Sequence, residues 1–119
     1  MKKALIGFHE RIFREAIGDI FVDKGYEGRF ANTPEEMLEQ VRQNNYDWYC
    51  MDANLGNAGI PNITSSQQVY DLIKEQVEKG LVKFLALSAS SSTVDEARKA
   101  GIPIMDKIEF VDKYRELIE

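Results

Sequence analysis

Apolar residues along this chain alternate between two rhythms. Ala4–Phe8, Trp48–Met51, Val82–Leu87 and Ile102–Met105 are short apolar runs with the length and bulk of buried strands, and Gly28–Ala31 is a shorter candidate of the same kind. Between them the spacing becomes helical. Ile12, Phe13, Ala16, Ile17, Ile20 and Phe21 predict a first helix that stops at Gly25. Thr33-Pro34-Glu35-Glu36 predicts the start of a second, with a capping hydroxyl, a proline in the first turn and a glutamate three residues after the cap. Met37, Leu38 and Val41 form its inner face. Val69, Leu72, Ile73 and Val77 predict a third helix ending near Gly80. Thr93 to Glu96 reads as a capping box opening a short fourth that ends at Gly101, and Phe110, Val111, Tyr114, Leu117 and Ile118 share one face of a fifth. Ala53–Ser66, rich in Asn, Gly, Ser and Thr, reads as a long loop.

Five strand–helix units with short connections imply an α/β architecture: a doubly wound, five-stranded parallel sheet covered on both faces, with right-handed crossovers. The strand order chosen among the doubly wound options is 2-1-3-4-5. No internal repeat or linker divides residues 1–119, so one domain is expected.

In such a sheet the carboxyl ends of the strands share one edge, where ligands and chemistry collect. Here the third run stops at Asp52, the fourth at Ser88 and the fifth at Asp106-Lys107. An acid, a hydroxyl and an amine would meet there. These are the parts of an aspartyl-phosphate site: a nucleophile, a hydrogen-bond donor to phosphoryl oxygens and a cation. Taken singly, Ser88 reads as a cap and Lys107 as a solvated surface lysine.

Composition narrows the picture. Hydrophobic residues make up 44% of 119, enough for a packed core, and the net charge of −5 is spread over mixed signs without a basic patch, which argues against nucleic acid as a partner. The single cysteine, Cys50, lies within an apolar run and reads as a small core residue. No signal-peptide pattern or membrane-length span occurs, so the cytoplasm is the expected compartment. The turn Phe8-His9-Glu10-Arg11 offers no glycine-rich phosphate cradle, and no GxGxxG follows any strand, which disfavours a flavodoxin-type cofactor enzyme.

Nearly the whole chain resembles the receiver domain of bacterial response regulators (CheY-like). The resemblance is carried by Lys2–Phe8 running through helix one to Gly25-Tyr26, by Tyr46-Asp47 before strand three, and by Asp52 at its end. Leu87-Ser88-Ala89 after strand four, and Ala97-Arg98-Lys99-Ala100-Gly101 leading to Lys107, complete it. It implies two-component phosphorelay signalling by a module that is not itself an enzyme. Phosphoryl would pass from a sensor histidine kinase or a phosphotransfer protein to Asp52, with Ser88 as the site hydroxyl and Lys107 as the site lysine. A homodimer through the face of helix four, strand five and helix five is a further expectation. The family also binds a divalent cation, usually Mg²⁺, through an acidic pair at the end of strand one. Phe8 and His9 stand at those positions, so the expected metal site is weak and atypical: Asp52, the backbone at Asn54, and Glu10 if it reaches in. His9 has three readings: a metal ligand, a cation partly neutralising Asp52, or a solvated loop residue. The loop after Asp52 is longer than the family's, Gly56 replaces its proline, the stretch from Ser88 to Lys107 is shorter, Ile104 stands at the aromatic switch position, and Ile108 replaces the proline after the lysine. The alternative is a pseudo-receiver, a phosphorylation-independent protein-interaction module that keeps the fold. In either case Lys107 is expected to pair with Asp52.

Overall fold

The structure, a computed structural model, describes residues 2–56 and 62–118. Strands β1 (Lys2–Gly7), β2 (Tyr26–Ala31), β3 (Trp48–Asp52), β4 (Lys83–Ser88) and β5 (Ile104–Asp106) alternate with helices α1 (Arg11–Asp23), α2 (Pro34–Gln43), α3 (Thr64–Glu78), α4 (Ser91–Lys99) and α5 (Lys107–Leu117). All strand pairs are parallel, in the order β2-β1-β3-β4-β5. The expected architecture and strand order are those observed.

Side-chain alternation divides the interior into two cores. Leu5, Tyr49, Met51, Phe84, Ala86 and Ile104 face one side of the sheet, where Met37 of α2, Val69 and Ile73 of α3, and Val94 and Ala97 of α4 cover them. Ala4, Ile6, Trp48, Cys50, Leu85 and Leu87 face the other side, under Ile17 and Phe21 of α1 and Phe110 of α5. Burial on both faces explains why β3 reads as an unbroken apolar run rather than an alternating one.

Several boundaries and faces differ from the sequence reading. β1 begins and ends earlier than Ala4–Phe8, β2 starts at Tyr26, β4 reaches Ser88, and β5 is Ile104–Asp106 rather than Ile102–Met105. Apolarity marks burial, whereas strand ends are set by ladder bonds, and Ile102 and Phe8 are buried beyond the ladder. On α1, Ile12 is 76% exposed and Ala16 is exposed as well, so Phe13, Ile17 and Phe21 carry the inner face. Leu72 and Val111 also lie on the solvent side of their helices. The cap of α4 is Ser90, whose Oγ accepts from the Thr93 N–H at 3.4 Å; Thr93 lies inside the helix, fully buried. α3 begins at Thr64, so Ser65 and Ser66 belong to its first turn rather than to the loop, and residues 57–61 of the expected loop lie outside the described residues.

The cap of α2 forms as expected. Thr33 Oγ1 accepts from the Glu36 N–H at 3.1 Å, and Glu36 returns a bond to the Asn32 N–H at 3.1 Å. Gly25, Gly80 and Gly101 end their helices with positive φ, the conformation that favours glycine.

Candidate functional site

Parallel register brings Asp52, Ser88 and Lys107 to one edge. Asp52 pairs with Leu87 and Ser88 with Asp106, so the acid and the hydroxyl end neighbouring strands, and Lys107 is the next residue of the chain after β5. Asp52 is held in two ways. One carboxylate oxygen accepts the Asn54 N–H at 2.9 Å in a tight turn, and the other lies 3.5 Å from Lys107 Nζ. Both side chains of the pair are 25% exposed, open enough to meet a reactant and buried enough for the attraction to matter. The expected Lys107–Asp52 salt bridge is therefore present. Ser88 is 2% exposed; its Oγ accepts the Ser90 N–H at 3.0 Å, which leaves the hydroxyl proton available to donate.

Lys107 is the first residue of α5, where the helix dipole disfavours a cation. Asp106 caps that helix by accepting the Ile108 N–H at 2.8 Å. The ammonium has a second neighbour besides Asp52: it lies 4.7 Å from the centre of the Phe13 ring. Phe13 in turn meets Phe8 edge to face, ring centres 4.9 Å apart, and Phe8 is 1% exposed in the core beneath α1 and α5. Arg14 donates from one guanidinium nitrogen to the carbonyls of Phe8 and His9, at 2.9 and 3.2 Å. Neither Phe13 nor Arg14 stood out in the sequence, because helical spacing marks Phe13 as core and Arg14 as a surface position.

Asn54 makes a further connection. Its side-chain amide donates to Thr93 Oγ1 of α4 at 3.3 Å, and its carbonyl accepts the Asn62 N–H at 3.2 Å. Glu10 and His9 are exposed, and the Glu10 side chain makes no capping bond at the start of α1.

The residues at this edge do not fit a divalent cation. A hard cation needs several oxygen ligands. Phe8 fills the end of β1 with an apolar ring, Arg14 occupies the carbonyls of Phe8 and His9, and an ammonium already sits on Asp52. Among the described residues no three His, Cys, Asp or Glu side chains come together to hold a metal.

No protein-family model matches the chain, and no curated protein matches it. Solved structures do. The response regulator TrrA of Thermotoga maritima, in complex with Mg²⁺-BeF, superposes with a TM-score of 0.73 at 24% identity over 98% of this chain and 96% of that one. A response regulator of Burkholderia pseudomallei, with a phosphorylated aspartic acid, a calcium ion and citrate, gives 0.73 at 20% identity over 100% of this chain and 67% of that one. A de novo designed Rossmann 2x3 protein gives 0.69 at 14% identity over 100% and 95%. The last match has no natural lineage, so the superposition reports architecture and function must be argued from the edge residues. The chain has the fold of CheY-like response-regulator receiver domains, with the aromatic ring of Phe8 directly after its first strand.

Proposed function

We propose that this chain is a receiver-type signalling module of a two-component system, cytoplasmic and without substrate turnover of its own, with Asp52 as its phosphoacceptor. The observation that supports it most is the Asp52–Lys107 pair at the carboxyl edge, beside the buried Ser88 hydroxyl, whose oxygen accepts the Ser90 N–H and whose proton is free to be donated. The Asp52 carboxylate oxygen that faces Lys107 keeps lone-pair density and attacks the phosphorus of a phosphohistidine. The P–O bond forms as the P–N bond breaks, and the imidazole leaves with the bond's electron pair and takes up a proton. Lys107 offsets the added negative charge, and Ser88 donates to a phosphoryl oxygen.

The donor of the phosphoryl group is a sensor histidine kinase or a phosphotransfer protein. Two apolar side chains at the starts of α1 and α5 suit such a partner: Ile12 is 76% and Ile108 75% exposed, on the two helices that cover the same sheet face and begin at the Asp52 edge. A second copy of the chain docking through α4, β5 and α5 belongs to the same reading.

One feature favours the pseudo-receiver alternative, in which protein contacts act without phosphate: the apolar and cationic filling of the end of β1. Intact-mass analysis after incubation with acetyl phosphate, or with a phosphorylated histidine kinase, separates the two. The phosphoacceptor reading expects a mass gain of one phosphoryl group that Asp52→Asn abolishes. A parent chain that binds the kinase yet never gains the group would replace it with the pseudo-receiver.

A further inference from the structure

We propose that Phe13 is a positioning residue: its ring seats the Lys107 ammonium against Asp52, so the site carries its counter-cation as a side chain. The inference rests on Asp52 as the functional acid. Lysine is a flexible chain that ordinarily leaves its charge in water, and at the start of α5 the helix dipole pushes that charge away. Something must hold it at the edge. The carboxylate of Asp52 does so from one side at 3.5 Å, and the face of Phe13 from another at 4.7 Å. Phe13 is itself fixed, because its ring meets Phe8 at an interplanar angle of 71° with centres 4.9 Å apart, and Phe8 is anchored in the core. Phe8, Phe13, Lys107 and Asp52 thus form one continuous row of contacts from the interior to the acid. The phenylalanine at the end of β1, unsuited to a metal, acquires a role in this row as the back wall of the ammonium's seat.

The test is the acylation rate of Lys107 under trace acetic anhydride, read by mass spectrometry and normalised to exposed Lys99 in the same chain. The parent should label Lys107 severalfold more slowly than Lys99. Phe13→Leu removes the ring's face, and trifluorophenylalanine at position 13 keeps its shape while draining its electron density. Both should raise the Lys107 rate about two- to fivefold, as expected for a partly exposed cation–π contact, and Phe13→Trp should restore the slow rate. Should Phe13→Leu fail to fold, the fluorinated ring, which fills the same space, decides alone. Millimolar Mg²⁺ should leave the parent's rate unchanged, since a cation drawn to Asp52 would have to expel the ammonium and speed its labelling. An unchanged rate in the fluorinated protein, or a rate that climbs with Mg²⁺, overturns the seat. Neither result depends on phosphorylation, so a failed acetyl phosphate reaction would count against the phosphoacceptor reading and leave the seat standing.

Discussion

Single side chains at the interior and the edge set the chemistry this molecule tolerates. Burial pushes the Cys50 thiol well above its ordinary value and raises the phenols of Tyr46 and Tyr49, chiefly by desolvation. A group that holds its proton more tightly when folded stabilises the fold fully below its unfolded pKa and loses that contribution as pH rises through the folded one. Stability should therefore be flat near neutrality and decline from about pH 8.5, where the unfolded thiol begins to ionise, more steeply above about pH 10 as unfolded tyrosines join. Urea midpoints across that range measure it. Cys50→Ala should flatten the first part of the decline, and a parent midpoint constant to about pH 10 would refute the assignment. Phe8 gives a second expectation. Aspartate there restores the acid of the resembling family, but the site lies in the core beneath α1 and α5, so Phe8→Asp should cost about 3 kcal/mol or more in denaturant melts. A variant as stable as the parent would mean that the end of β1 opens readily to water. The Asp52–Lys107 pair, a quarter exposed, should show a coupling of about 1 kcal/mol in a double-mutant cycle of Asp52→Asn and Lys107→Ala. Additive effects would show that the two charges do not meet in solution.

At the scale of the element, local signals are strong where a helix begins and weaker where a strand ends. Thr33→Ala removes the bond to the Glu36 N–H and should cost about 1 kcal/mol, seen as a lowered denaturation midpoint; Thr33→Ser should recover most of it. That cap was legible in four consecutive residues, and the five strands and five helices were legible in the change of hydrophobic period. Ile12, Leu72 and Val111 follow the helical spacing yet lie exposed, because spacing alone cannot distinguish an apolar residue facing the sheet from one at the margin of the buried stripe. The sequence does not single out Ser90 as the α4 cap, because Ser90, Ser91, Ser92 and Thr93 follow one another and any of these hydroxyls satisfies the rule. Asp52, Ser88 and Lys107 could be brought to one edge from strand ends and a parallel sheet. The ring under Lys107 could not, since Phe13 and Lys107 are joined only by the packing of α1 beside α5.

Across the whole molecule, β3 is the element on which everything converges. Tyr49 and Met51 belong to one core and Trp48 and Cys50 to the other, so the strand that presents Asp52 is fixed from both faces and offers little travel at the acid. The contacts that link the acid to the helices are made just after it. There Asn54 joins Asp52's own turn to the entry of α3 through Asn62 and to α4 through Thr93, whose hydroxyl is otherwise sealed in the protein. The Asn54 side chain is a tether between that turn and α4. While it holds, the short helix α4 is spared the fraying that its nine residues would otherwise invite. Asn54→Ala should speed amide hydrogen exchange throughout α4 while α5 keeps its protection, so whatever disturbs the turn at Asp52 is felt first as a loosening of one helix on the far side of the loop.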